Sequence, residues 1–189
     1  MAIIIHELIY HFHDNPSREG KCPSFSLFGL HCGRQKLCKC AVKDGLTPIL
    51  KRIEESDAFV LGSPIYFGIV TGATRSFMER LCFPYMTYTD PPGSLFPRKI
   101  HTAIIGTMGA PEEHAKEFGF SQHVDANAML LKRIFGACES LCSFDTLQFE
   151  GYSRMVADRF DPAKKAARRA EVFPEDRRKA FEMGVRLVK

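Results

Sequence analysis

The fold is decided by the stretch Asp57-Ala58-Phe59-Val60-Leu61-Gly62-Ser63-Pro64-Ile65-Tyr66-Phe67-Gly68. Its continuous apolar run at residues 58–61 predicts a strand that is buried on both faces, as strands of a parallel sheet are. Residues 63–68 add a proline, two aromatic residues and a glycine, and we predict that they form a loop after this strand. In open parallel sheets ligands bind beyond the carboxyl ends of the strands, so this loop is a candidate binding segment.

Strands and helices alternate along the rest of the chain. Residues 99–107 and 140–149 predict further strands, and the tail predicts helices near residues 163–170 and 175–187. Other helices are predicted from Thr47-Pro48, from 71 to 83, from Pro111, and through Met129 to Phe135. This alternation indicates βαβ units, and therefore an α/β protein with a mostly parallel sheet.

Length and composition narrow the class of protein. With 189 residues the chain suits one domain, residues 1–189, with an irregular cysteine-containing part at 1–42 and a helical tail at 151–189. The net charge is +4, and its basic excess near the carboxyl terminus is interrupted by acidic residues. We therefore expect a solvated helix face there, and no nucleic-acid partner. The basic residues concerned are Lys164, Lys165, Arg168, Arg169, Arg177 and Arg178.

The sequence contains no apolar stretch of about 20 residues, so no membrane partner is expected. The apolar start lacks a basic lead and a small-residue cleavage site, so we expect no signal peptide. Seven cysteines without a secretory signal favour reduced thiols and a cytoplasmic location.

The candidate loop has groups suited to a flat ring. Tyr66 and Phe67 offer aromatic faces, Pro64 stiffens the backbone, and Gly68 permits a close approach. A second loop, Thr107-Met108-Gly109-Ala110, follows the next predicted strand and could close the pocket from the other side. A tight turn with two aromatic side chains packed into the core explains the first loop equally well.

Three segments carry a resemblance to a known family: residues 42–50 (VKDGLTPIL), residues 57–67 (DAFVLGSPIYF), and Gly72 with Phe77-Met78-Glu79-Arg80. Together they resemble the NADPH-dependent FMN reductase family, which is flavodoxin-like and includes iron–sulfur flavoproteins. The resemblance covers roughly residues 5–149 and is strongest between 42 and 84. The tail, with residues 160–162 and 173–174, is also similar to that of a flavodoxin-like subgroup.

The resemblance implies a flavodoxin-like, three-layer α/β/α sandwich that binds FMN. The ring would lie among Ser63, Pro64, Ile65, Tyr66, Phe67, Gly68, Thr107, Met108 and Gly109. Electrons would pass from NAD(P)H through the flavin to a small acceptor such as a quinone or another flavin. No side chain need act as acid or base, because the cofactor carries the chemistry, so we name no catalytic residue. The family also implies a homodimer, to which the helix at 71–83 could contribute. For Glu79 and Arg80 we expect structural roles, in a helix ion pair or at a subunit contact.

The amino-terminal segment departs from the family pattern. Family members begin with a strand and a Ser/Thr/Gly-rich loop that holds the FMN phosphate at a helix N-terminus. Here residues 3–12 match the family's second strand better than its first, so we expect the first βα unit to be missing. The nearest phosphate-loop candidate is Asn15-Pro16-Ser17-Arg18-Glu19-Gly20, but no helix of useful length follows it. An alternative is therefore a remnant without flavin that serves as an interaction module.

The cysteines also depart from the iron–sulfur branch. Cys22, Cys32, Cys38 and Cys40, with His31, could supply four zinc ligands, which makes a cysteine-ligated metal protein a third hypothesis. Their spacing fits no standard iron–sulfur pattern, so we do not expect a cluster and favour free thiols in a loop. Core positions are expected for Cys82, Cys138 and Cys142, and strand-edge positions for His6, His11 and His13.

Overall fold

The structure is a computed structural model that describes residues 2–4, 40, 42–149, 152, 156 and 158–189. Helices and strands alternate along these residues, as the sequence predicts. In chain order they are β1 (Ala2–Ile4), α1 (Thr47–Glu55), β2 (Ala58–Tyr66), β3 (Ile69–Val70), α2 (Gly72–Cys82), β4 (Ile100–Thr107), α3 (Glu112–Glu117), α4 (Phe120–Phe135), β5 (Gly136–Ser143), α5 (Pro162–Glu171) and α6 (Phe173–Leu187). A short 3₁₀ turn, Phe83–Tyr85, follows α2.

The sheet has the strand order β1-β2-β4-β5, and all three of these pairings are parallel. The short strand β3 is antiparallel to the end of β2 and forms a hairpin with it. Helices pack on both faces, so the expected α/β class with a mostly parallel sheet is confirmed.

Alternating side chains of the strands build two separate cores. Phe59 and Leu61 of β2 pack under α1, α2 and α4 on what we call the main face. Ala58 and its neighbour Ala103 point the other way, against Met183 and Leu187 of α6, on what we call the tail face. The larger core is on the main face, where the rings of Phe59 and Phe135 meet edge to face at 5.2 Å.

The order of the strands explains this uneven coverage. β1, β2, β4 and β5 follow one another across the sheet in one direction, and right-handed crossovers then place their helices on the same face. In doubly wound folds a reversal of strand order sends helices to both faces and creates the ligand crevice. The described strands show no such reversal, and the tail face is covered instead by α6.

Two strand boundaries differ from the prediction. The strand predicted at 140–149 exists, but its bounds are wrong, because β5 runs from Gly136 to Ser143. Gly136, at φ +105°, ends α4 and begins β5 without a linker, and the Gly-Ala-Cys-Glu-Ser start carries no β-branched residue that would signal a strand. The strand predicted at 58–61 continues to Tyr66, because β3 pairs with its last two residues.

The amino-terminal predictions fall largely outside the described residues. Of the strand expected at 3–12, the structure describes a strand at Ala2–Ile4, which lies beside β2. The phosphate-loop candidate at 15–20 and the three histidines at positions 6, 11 and 13 lie outside. Within the described ranges, no helix is long and apolar enough to cross a bilayer.

Candidate functional site

The two predicted binding segments meet at the carboxyl edge of the sheet. Pro64 of β2 is the register partner of Thr107 of β4, and Ser63 is the partner of Gly106. β2 and β4 are neighbouring strands that both end at this edge, so residues more than forty positions apart in the sequence lie side by side. This is the place where open parallel sheets bind their ligands.

Strand periodicity divides the predicted residues between the two faces. Ser63, Ile65 and Met108 face the main core and are only 2%, 7% and 3% exposed. Successive side chains of a strand point to opposite faces, so Pro64 and Tyr66 lie on the tail-face side, where Tyr66 is about half exposed. The side chains of Ser63, Ile65 and Met108 are therefore packed in the core, and a ligand can contact these residues through their backbone atoms.

The Ser63 hydroxyl has a structural set of partners. Its Oγ accepts hydrogen bonds from the N–H of Thr71 and the hydroxyl of Thr74, each at 3.1 Å. It donates to the carbonyl of Pro64 at 2.8 Å. Thr71 caps α2, since its Oγ1 accepts from the N–H of Thr74. Ser63 thus joins the end of β2 to the first turn of α2.

Phe67 and Gly68 form the tight turn between β2 and β3. Both have positive φ, +52° for Phe67 and +83° for Gly68, as two-residue hairpin turns of type I′ require. The ring of Phe120 lies against Gly68, where a Cβ would come within 2.7 Å of it. The turn is as tight as the alternative interpretation expected, but its aromatic side chains are not packed in the core, because Phe67 is fully exposed.

The loop after β4 is hydrogen-bonded to the segment that follows β5. The N–H of Met108 donates to Ser143 at 2.9 Å, and the carbonyl of Met108 accepts from Thr146 at 2.9 Å. The carbonyl of Ala110 accepts from Asp145 at 2.8 Å. In contrast, the N–H groups of Gly109 and Ala110 have no acceptor among the described residues. Gly109 is buried, and the side chain of Gln148 fills the space beside it. Ala110 is partly exposed, so its N–H is the better candidate donor for a ligand's carbonyl oxygen or ring nitrogen.

A buried lysine from the tail reaches this loop. The sequence predicts a solvated position for this residue. Lys165 of α5 is 4% exposed and donates from Nζ to the carbonyl of Gly109 at 2.6 Å. The same ammonium forms an ion pair with Asp145 and lies 5.0 Å from the centre of the Phe160 ring. The prediction that Lys165 belongs to a solvated face is therefore wrong.

Arg168 of α5 is also turned inward. It pairs with Asp176 at 2.7 Å, and Asp176 accepts from the Ser143 hydroxyl at 2.6 Å. The sequence did contain a signal for both residues. The helix Pro162–Glu171 has no large apolar side chain, so the side that packs on the protein must be made of alanine, lysine and arginine.

Glu79 and Arg80 have the structural roles expected for them, although with separate partners. Arg80 donates two hydrogen bonds to Asp44, at 2.6 and 3.0 Å, and ties the segment before α1 to the last turn of α2. The hydrogen bond from this guanidinium lowers the pKa of Asp44. Glu79 instead accepts from Arg75 at 2.8 Å within α2.

Of the candidate metal ligands, Cys40 lies among the described residues, and Cys22, His31, Cys32 and Cys38 lie outside them. Cys40 lines a small cavity with Arg80 and Tyr85, at the end of α2 opposite to Ser63. In the described part of the chain, no three His, Cys, Asp or Glu side chains are grouped to hold a metal.

The other three cysteines are attached to the core, as expected. Cys82 is buried, and Cys138 and Cys142 are partly buried against the main-face cluster. Burial raises the pKa of the Cys82 thiol to about 12 and that of Cys142 to about 11. Both thiols are therefore protonated near neutral pH, and we assign them no chemistry at the site.

Comparison with known proteins gives one family and a few relatives. The family model for NADPH-dependent FMN reductase matches residues 9–117, more than half of the chain. An iron-sulfur flavoprotein of Archaeoglobus fulgidus is 42% identical over 41 residues, which are 22% of this chain and 20% of that protein. An iron-sulfur flavoprotein of Methanocaldococcus jannaschii is 43% identical over 42 residues, 22% of each chain. Each match spans about a fifth of the curated relative.

A solved structure extends the likeness at the level of the fold. The NAD(P)H:quinone oxidoreductase from Methanothermobacter marburgensis superimposes with a TM-score of 0.55 at 14% identity. The superposition covers 77% of this chain and 71% of that one. At such low identity the likeness shows a common fold and nothing about substrates.

Proposed function

Because the chain belongs to the NADPH-dependent FMN reductase family, we propose that it is an FMN-dependent NAD(P)H oxidoreductase. It would pass electrons from a nicotinamide through flavin to a small acceptor such as a quinone or a free flavin. The observation that carries this proposal is the edge where Pro64 and Thr107 are paired, with the unbonded N–H groups of Gly109 and Ala110 beside it.

The residues at this edge fit the ring end of FMN. The isoalloxazine ring presents carbonyl oxygens and ring nitrogens, which match the N–H donor of Ala110, and a flat face, which suits the half-exposed ring of Tyr66. Bound FMN would supply the hydride and electron chemistry. The chain's part is to orient the ring, with Ala110 as a donor and Ser63 holding β2 against α2. The candidate phosphate loop lies outside the described residues.

The decisive experiment combines flavin binding with turnover. We expect the purified chain to bind FMN at micromolar concentration and to oxidise NADPH or NADH faster when menadione is added. Failure of the wild-type chain to bind FMN would overturn the proposal. Assays with NADH and with NADPH, each combined with a set of quinones and flavins as acceptors, then measure which nicotinamide and which acceptor class the chain prefers.

A pair of tyrosine variants tests where the ring lies. Tyr66→Ala removes the half-exposed ring beside the proposed site, whereas Tyr88→Ala removes an exposed ring from the loop before β4. Loss of one aromatic stacking contact corresponds to a rise in the FMN dissociation constant of up to about tenfold. We expect this rise for Tyr66→Ala and no change for Tyr88→Ala. Equal effects of the two changes would contradict the proposed place of the ring.

The order of the strands favours a second candidate, a flavodoxin-like interaction module without flavin. The described strands follow one another without the reversal at which doubly wound folds bind their ligands. This candidate predicts a colourless protein that forms concentration-dependent oligomers, whereas the reductase is expected to be a flavin-bound dimer of fixed size. Light scattering of the purified protein, with and without FMN, separates the two.

A further inference from the structure

The buried ammonium of Lys165 donates a hydrogen bond to a backbone carbonyl of the proposed site. Its ammonium is 4% exposed and has two polar partners, the Asp145 carboxylate and the carbonyl oxygen of Gly109. Taking an ammonium out of water is unfavourable unless partners replace the water, so these contacts define where the side chain can be. The helix that carries Lys165 is itself anchored, because Asp161 caps it by accepting from the N–H groups of Ala163 and Lys164.

The bond to Gly109 also fixes the next N–H group. The carbonyl of Gly109 and the N–H of Ala110 belong to one peptide unit, which is planar and trans, so the two point in opposite directions. When Lys165 holds the carbonyl on its own side, the N–H of Ala110 is turned away from Lys165. This N–H is one of the two donors that have no acceptor among the described residues.

Glycine makes such a constraint necessary. A peptide that follows a glycine rotates easily, since glycine has no Cβ to restrict its backbone angles. The neighbouring contacts of the loop hold Met108 and the carbonyl of Ala110, but neither of them holds the carbonyl of Gly109. The Lys165 ammonium is therefore the contact that sets the orientation of this one peptide.

We propose that Lys165 is a positioning residue for the flavin ring, acting through the Gly109–Ala110 peptide. It keeps the N–H of Ala110 in the direction in which it can donate to the ring. This inference rests on the proposed function, because it assumes that FMN binds at this edge. Lys165 is then a residue of the tail that contacts no cofactor but determines how firmly the ring is held.

The test compares flavin binding by Lys165→Met with that of the matched control Lys164→Met, an exposed neighbour on the same helix. Methionine keeps the length of the side chain but removes the donor and the charge. Dissociation constants for FMN and for riboflavin are measured from the quenching of flavin fluorescence, and the bound flavin's visible circular dichroism is recorded. We expect Lys165→Met to weaken the binding of both ligands about tenfold, the loss of the one hydrogen bond that the N–H of Ala110 donates to the ring, and Lys164→Met to match the wild type.

A double variant separates positioning from stability. Lys165→Met alone leaves the Asp145 carboxylate without its partner, which can destabilise the fold. Lys165→Met/Asp145→Asn removes both charges, and asparagine tolerates the positive φ of +52° at this position. We expect the double variant to regain stability to urea but to keep the weak flavin binding and the altered dichroism. A purely structural lysine would let both properties recover together, and that result would overturn the proposal.

The remaining outcomes are also decisive. If the wild type binds FMN and Lys165→Met binds it equally well, the positioning role is wrong and the proposed function stands. A loss confined to FMN, with riboflavin unaffected, would place the effect at the phosphate end and contradict the proposal. If the wild type binds neither ligand, the proposed function itself fails, and the role of Lys165 fails with it.

Discussion

The hydroxyl oxygens of Ser63 and Thr74 lie 3.1 Å apart, in a buried network that fastens the end of β2 to the start of α2. Ser63 is the residue at which the proposed site joins the core, because its neighbour Pro64 reaches the carboxyl edge while its own side chain turns into the main face. The network therefore links the stability of the fold to the shape of the site.

Ser63→Ala is expected to lower the free energy of unfolding by about 1–3 kcal/mol, since the N–H of Thr71 loses a buried acceptor. Urea unfolding measures the loss, with Ser76→Ala on the exposed side of α2 as the control. FMN affinity should fall much less than stability. A stable Ser63→Ala protein that no longer binds FMN would show instead that the hydroxyl contacts the cofactor.

Phe67→Asn is expected to make the protein more stable by roughly 0.5–1 kcal/mol. Phe67 holds φ +52°, which is unfavourable for a bulky residue, and its exposed ring contributes no burial. Asn-Gly is the preferred sequence for such a hairpin turn. Thermal unfolding measures the gain in stability, and the KM for a quinone tests whether the Phe67 ring contributes to binding of the acceptor. A loss of stability would mean that the ring packs on something in the folded protein.

Gly68→Ala should destabilise the fold, whereas Gly72→Ala should not. An added Cβ at Gly68 would lie 2.7 Å from the Phe120 ring, at a φ of +83° that disfavours any side chain. At Gly72, the first residue of α2, nothing lies within 4 Å, and alanine is the better helix former. We expect a loss of about 1–3 kcal/mol for the first change and a small gain for the second. Similar unfolding midpoints would contradict the tight turn.

The ion pair between Asp44 and Arg80 predicts a pH-dependent contribution to stability. The pKa of Asp44 is lowered in the folded state, so the pair stabilises the protein above the unfolded carboxyl's pKa of about 4. The contribution is lost as pH falls through the lowered value. Because the Asp44 side chain is 41% exposed, we expect only about 0.5–1 kcal/mol at pH 7.

Urea unfolding of the wild type and of Asp44→Asn between pH 7 and pH 2 measures this contribution. The two stability curves should converge in acid and separate above pH 4. Glu117→Gln, at an exposed carboxylate without a described ion pair, is the control for the removal of one surface charge. Curves for Asp44→Asn that keep a constant separation would disprove the linkage.

Except for the short strand β3, the order of strands and helices between residues 47 and 135 could be predicted from the sequence, because its signals are local. Apolar runs mark β2 and β4, and a capping or proline residue marks the starts of α1, α2 and α3. In contrast, α4 begins after Gly119 without a side-chain cap. The start of β5 could not be predicted, since its first residues lack β-branched side chains and are strand only through pairing with β4. Register across the sheet is a non-local property of this kind.

The position of the candidate site in the fold could be predicted from the sequence, but the orientation of its side chains could not. The rule that ligands lie beyond the carboxyl ends of parallel strands brought Pro64 and Thr107 together correctly. In a strand, alternate residues face opposite sides of the sheet, so the extent of β2 decides which of its residues face the core. The turn-like composition of residues 63–68 did not indicate that β2 continues to Tyr66. Lys165 was missed because a basic run is usually solvated, and only the absence of large apolar residues in α5 indicates otherwise.

The packing of α6 on the tail face has a consequence for biosynthesis. β2, β4 and β5 pair in the order in which they leave the ribosome, and the helices of the main face emerge between them. Among the described residues, Met183 and Leu187 of α6 cover the face formed by Ala58 and Ala103, and this cover is missing until Phe173–Leu187 has been made. A ribosome that stalls after β5 would therefore hold a sheet without its α6 cover, a nascent chain that chaperones should retain.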